Sequence, residues 1–153
     1  MRGCVQYGMK GGAVRTKDFF RQIRKEQREQ KRLKEAIALR HMQLLPQAIR
    51  YDRDHVQSSP ADSMSETVAY IADQTRKLEA LSARLEERRS VAIRMIMETL
   101  ESNEREVMLL YYIDSAVKLR TWQDVADEMG YSVETIHKCH KSALIKLDRI
   151  ARN

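Results

Sequence analysis

Residues 121 to 147 read TWQDVADEMGYSVETIHKCHKSALIKL. Thr121 followed three residues later by Asp124 is a capping box, in which each side chain satisfies the other's unpaired backbone N–H and opens a helix. The spacing predicts that this helix turns Trp122, Val125, Ala126 and Met129 inward. Gly130 then stands where a helix must stop sharply in the left-handed backbone region, which glycine enters without a Cβ penalty. Ser132 is a good cap for a further helix whose inward stripe is Ile136, Cys139, Ala143, Leu144 and Leu147. Cap, short helix, glycine turn, cap and longer helix together spell a helix-turn-helix, with small Ala126 at the crossing point.

Upstream, Asn103 and Glu106 predict the start of a supporting helix that carries Val107, Leu110 and Tyr111 inward. The outward face of the last helix presents Val133, Glu134, Thr135, His137, Lys138 and Lys141 after the Ser132 cap. These residue types can touch base edges and phosphates. Lys138, Lys141, Lys146 and Arg149 are the expected phosphate contacts, and Glu134, Thr135 and His137 the sequence-dependent ones. Trp122 is read as a packing residue because it recurs in register with Val125, Ala126 and Met129.

Two long amphipathic segments precede this module. Phe19, Ile23, Glu26, Gln30, Leu33, Ile37, Arg40 and Leu44 alternate in steps of four and three, and so do Met64, Val68, Ile71, Thr75, Leu78, Ser82, Leu85, Arg89, Ala92 and Ile96. The first helix should end before Pro46 and the second open at a Ser63/Glu66 capping box. Neither stripe can stay exposed in water, which predicts a helical hairpin or a coiled-coil dimer. The expected organisation is a disordered leader over 1–16, a helical hairpin or coiled-coil region over 17–100 with a linker at 46–63, and a helix-turn-helix domain over 101–153, with the part from Ser102 onward folding alone. Residues 1 to 13 lack apolar periodicity and are read as dispensable, with a DNA-contacting basic arm (Arg2, Lys10, Arg15) as the rival reading.

Composition supports an all-α protein. Of 153 residues, 33% are charged and only 6% aromatic, with 5 Gly and 2 Pro, a balance suited to long solvated helices and poor for sandwiches or barrels. No apolar run is long enough to span a membrane and the N-terminus lacks a signal-peptide core, so the expected location is cytoplasmic. Cys4 and Cys139 match neither a disulfide framework nor a zinc spacing. Cys139 lies on the inward stripe while His137 points away, so no metal site is expected, and no cofactor. No nucleophile, base and orienting residue can be assembled and no phosphate-binding glycine loop precedes a helix, which argues against an enzyme. The net charge of +6 is unevenly spread. Residues 1–52 carry 13 Lys/Arg against 5 Asp/Glu, and within the last third 101–130 is acidic (3 against 7) while 131–153 is basic (5 against 2).

Residues 100 to 147, with "EREVMLLYY", "TWQDVADEMGYS" and "SALIKL", resemble region 4 of sigma-70-type transcription factors. The longer order, a charged helix, "DHVQSSPAD", another charged helix and then this module, is similar to small phage and prophage regulators of the ArpU-like kind, associated with late gene expression. The resemblance implies that Ser132 caps a recognition helix and that Glu134, Thr135, His137 and Lys138 face the major groove. The expected function is a sequence-specific DNA-binding transcription regulator. Its partners would be double-stranded DNA, RNA polymerase and a second copy of the chain, with a dimer favoured. Two other classes fit the same pattern: a DNA-packaging component like a phage small terminase subunit, and an adaptor that docks on polymerase without reading DNA.

Overall fold

The computed structural model describes residues 16–44, 60–114 and 118–151. Among them the protein is all-α: α1 (Thr16–Leu44), α2 (Pro60–Thr99), α3 (Ser102–Met108), a π-helical turn (Leu109–Ile113), α4 (Trp122–Met129) and α5 (Val133–Ala151). Most of the expected leader, 1–15, and most of the expected linker, 46–59, lie outside the described residues. Thr16, read from sequence as the end of that leader, instead opens α1, and its backbone N–H donates to Asp148 Oδ1 at 3.1 Å. Residues 60–63, read as linker, belong to α2. A proline suits the first helical position, where the missing N–H has no partner to lose. Ser63 is therefore inside the helix rather than at its cap, and its carbonyl accepts the Thr67 hydroxyl at 2.9 Å.

The described chain packs as two compact units, and both long helices contribute to both. In the unit spanning Lys25–Arg88, α1 and α2 run antiparallel as a hairpin. Glu26 Oε1 accepts from Arg88 Nη1 at 2.9 Å and from Arg84 Nε at 3.3 Å. Further along, the Gln30 amide donates to Ser82 Oγ at 2.9 Å and the Arg40 guanidinium lies over the Tyr70 ring. Leu81 and Leu85 are buried, and Leu33, Ile37, Ile71, Thr75 and Leu78 half-buried, so the two stripes do meet. The stripe on α2 continues to Val68 and Met64, which are exposed.

The other unit joins the first turns of α1 and the last turns of α2 to the C-terminal module. Phe20 and Ile23 of α1, Ala92 and Ile96 of α2, Leu100 just after it, and Val107, Met108, Ile136 and Leu147 are all at most 3% exposed. Here the inward stripe of α1 is Thr16, Phe20, Ile23 and Gln27, so Phe20 rather than Phe19 enters the core. Each fully buried Phe or Ile contributes about 1.5–3 kcal/mol. A fragment from Ser102 onward, expected from sequence to fold alone, would lack five of these core side chains. No helix among the described residues is long and apolar enough to cross a membrane.

Glu26 is 1% exposed, whereas its partners Arg84 and Arg88 keep part of their side chains in water. Replacing it by an apolar residue of similar size keeps the packing and leaves the two arginines to solvent, whereas truncation adds a cavity. In urea unfolding, Glu26→Leu is expected to remain within about 1 kcal/mol of the native protein and Glu26→Ala to lose about 1–3 kcal/mol. An alanine variant as stable as the native chain would show that the ion pairs and the packing around them contribute nothing.

Candidate nucleic-acid interface

Local sequence rules set most of the site's backbone. Thr121, extended at φ −85° and ψ 170°, accepts the Asp124 N–H through Oγ1 at 3.2 Å while Asp124 accepts the Thr121 N–H at 2.6 Å, completing the capping box. These bonds stabilise the charged carboxylate and hold Asp124 down at about 2, the Thr121 backbone N–H contributing most. Gly130 ends α4 at φ 70°, ψ 27°, and its N–H donates to the Ala126 carbonyl. Ser132 caps α5, its Oγ accepting the Thr135 N–H at 3.2 Å. α3 starts differently from the sequence expectation: Glu101 is its cap, and Glu104 at the third helical position accepts from the Glu101 backbone, which places Asn103 inside the helix.

The helix-turn-helix packs around Val107, Val125, Ala126 and Ile136, with Leu110, Tyr111, Trp122, Met129, Val133 and Cys139 against them. Tyr111 and Trp122 stack at 3.6 Å and 8° between planes, so Trp122 is a packing residue as its register implied. The Arg24 guanidinium covers the Tyr111 ring at 3.8 Å and donates to the carbonyls of Tyr111 (2.5 Å) and Arg120 (3.0 Å). Arg89 donates to the Ile113 carbonyl at 2.7 Å. Together the two arginines satisfy carbonyls at the end of the π-helical turn, where the helical ladder runs out. Arg120 also pairs with Asp114 at 2.9 Å and with Glu128, tying the approach to α4 to its last turns.

The residues expected to read DNA do not all reach the open face of α5. Glu134, His137, Lys138 and Lys141 are exposed, and Glu134 and Lys138 pair at 2.8 Å along the helix. Ser132 is exposed as a cap, and Thr135 is half-buried with its hydroxyl 2.9 Å from Ser132 Oγ. Val133 does not face outward, because it packs on the core cluster. Lys146, expected on phosphates, is bound within the protein: Nζ lies 2.8 Å from Glu104 Oε2 and 3.7 Å from Glu101. Ser142 donates to Glu104 Oε1 at 2.6 Å. Burial pushes the Glu104 carboxyl up, but these donors outweigh it and the net direction is down. Arg149 remains exposed. Sequence reasoning missed Tyr131, 44% exposed in the turn immediately before α5. Its position between the Gly130 turn and the Ser132 cap was the available signal.

His140 sits off the basic face. It is half-buried, its Nε2 is 3.0 Å from the Tyr112 hydroxyl, and burial, reinforced by the charges of Lys17, His137 and Arg21, holds it down at about 4. It is neutral at pH 7.

Residues 96–149 match the protein-family model for sigma-70, region 4, about a third of the chain. This segment is a sigma-70 region 4-like helix-turn-helix, of the DNA-binding class, and the match begins at buried Ile96 in the last turn of α2. No curated protein and no solved structure matches the chain.

Two expected outcomes follow from this geometry. A Cβ on Gly130 would meet no atom within 4 Å, so the cost of substitution is one of backbone conformation alone. Gly130→Val should lower stability by about 1–3 kcal/mol and Gly130→Asn by clearly less, because asparagine tolerates the left-handed region. Equal losses in chemical unfolding would place the constraint elsewhere. Second, His140 binds a proton less readily in the folded than in the unfolded chain, so its contribution to stability is complete above its ordinary value of 6.5 and is lost as pH falls toward about 4. The melting temperature should drop between pH 7 and pH 5, and His140→Gln should flatten that slope. A slope unchanged in the variant would assign it to other groups.

Proposed function

We propose that this protein is a sequence-specific DNA-binding transcription regulator of the small phage or prophage kind, working in the cytoplasm by binding rather than by catalysis. The observation that carries this reading is the open face of α5. A helix held at its N-terminus by a left-handed glycine turn and a serine cap presents Glu134, His137, Lys138 and Lys141 to solvent, within a segment matching sigma-70 region 4. A helix in that setting enters the major groove by its N-terminal half. Lys138 and Lys141 contact phosphates. Glu134, Thr135 and His137 face base edges. Tyr131, on the turn, is placed to donate its hydroxyl to a backbone oxygen. A single module of this size buries little DNA surface, and a dimer formed through the α1–α2 hairpin gives two half-sites and useful affinity. The same hairpin offers a surface for RNA polymerase.

Selection of bound genomic fragments by the purified protein tests the reading directly: a recovered motif with dyad symmetry supports a dimeric regulator, and no enrichment overturns DNA reading. A ring-sized oligomer in light scattering would favour a packaging role instead. On the recovered site, Lys138→Ala and Lys141→Ala are expected to weaken every duplex alike and each to flatten the salt dependence by about one unit, whereas Glu134→Ala and Thr135→Ala should change base preference. The same effect from all four on every sequence would show that the roles are not divided in this way.

A further inference from the structure

The opening turns of α1 carry Lys17, Arg21 and Arg24, spaced i, i+4 and i+7 and so aligned on one stripe of the helix. Arg24 fixes the direction in which the stripe faces. Its guanidinium covers Tyr111, Tyr111 stacks on Trp122, and the Trp122 ring lies 4.9 Å from that of His137 and 4.7 Å from that of His140, both on α5. At the other end of the stripe, the Thr16 N–H is held by Asp148, near the end of α5. Between these two anchors Phe20 packs on Tyr112 at 5.1 Å, and Tyr112 bonds His140. The start of α1 therefore lies beside α5 at Asp148 and His140, and through the Tyr111–Trp122 stack it adjoins His137.

Arg24 is occupied by the fold. Lys17 and Arg21 are exposed, and Arg21 has only a 3.7 Å contact with exposed Asp18, while Lys17 makes no ion pair among the described residues. Both act on His140 as nearby positive charges, which agrees with their placement beside α5. Among the described residues, Asp18 is on the same turn of α1, Asp148 is taken up by the Thr16 N–H, and Glu134, one turn before His137 on α5, is paired with Lys138.

We propose that Lys17 and Arg21 bind phosphates of the same DNA duplex whose major groove receives α5, forming a backbone-contact row outside the segment that matches sigma-70 region 4. The geometry suits this role. Packed helices lie about 8–10 Å apart and the major groove is about 12 Å wide, so a helix flanking the recognition helix stands over the phosphates at the groove's edge. The inference rests on the regulator reading above.

The test compares Lys17→Gln/Arg21→Gln with a control of equal charge, Lys31→Gln/Arg32→Gln, farther along α1 in the hairpin unit. Binding to a fluorescein-labelled duplex of mixed sequence is followed by anisotropy between about 50 and 200 mM salt. The first pair should make the slope of log affinity against log salt shallower by about 1.8, and the control should leave it nearly unchanged. The charge-conserving Lys17→Arg/Arg21→Lys pair should keep the native slope, and thermal melting should show every variant folded, since all four positions are exposed. An unchanged slope in the first pair overturns the proposal, as does an equal loss in the control, which would report net charge rather than contact. Either result leaves the regulator reading standing. A native chain that binds no duplex at all overturns both.

Discussion

The stack of Tyr111 on Trp122, with Arg24 closing its other face, is the contact on which the C-terminal unit depends. It brings together α1, the π-helical turn, α4 and α5 at one point, because Trp122 also touches His137 and His140. The arginine does two things that a hydrophobic residue could not. Its charge is favoured over an aromatic face, and its fork of donors satisfies two carbonyls that the end of the π-helical turn and the following segment leave without helical partners. Lysine would retain the charge but not the fork, so the position discriminates between two residues of equal charge.

Electrostatics within this unit sort its cations into two groups. Arg24, Arg89, Arg105, Arg120 and Lys146 are all spent on the fold: Arg105 bonds the Met97 and Leu100 carbonyls at the end of α2, where the last turn has no basic residue, and Lys146 fixes α5 to α3 through Glu104. What remains toward solvent around α5 is a smaller set than the sequence count implies. Lys138 shares its charge with Glu134, and His140 is neutral at pH 7. A helix that looks strongly basic as a string of letters thus offers few unpaired cations in three dimensions.

The helix-turn-helix was legible because its signals are local. The Thr121/Asp124 box, the Gly130 turn and the Ser132 cap each involve residues within three or four positions, and each stands where the sequence places it. Periodicity made two long amphipathic helices legible and left a hairpin and a dimer both open, and the polar interruptions at Glu26, Gln30 and Ser82 bond across the α1–α2 pair. What escaped is what depends on distant chain. Asn103 and Glu106 form a plausible box, but Glu104 is drawn toward Ser142 and Lys146 some forty positions away, and the helix begins earlier to aim it there. Lys146 and Val133 were misplaced for the same reason: helical spacing gives the face of a residue, not what will be packed against that face.

The same distinction decides where the functional module begins. The family match takes in residues 96–149, yet the core beneath it includes Phe20 and Ile23, both fully buried, held by contacts that span 87 to 132 positions of chain. Burying two large apolar side chains contributes about 3–6 kcal/mol, a substantial part of the stability of a domain this size. Loop-closure entropy grows only slowly with length, so a segment this remote can complete the core at small extra cost. The module is therefore discontinuous in sequence. Its boundaries are set by which side chains share a core rather than by which residues are neighbours in the chain.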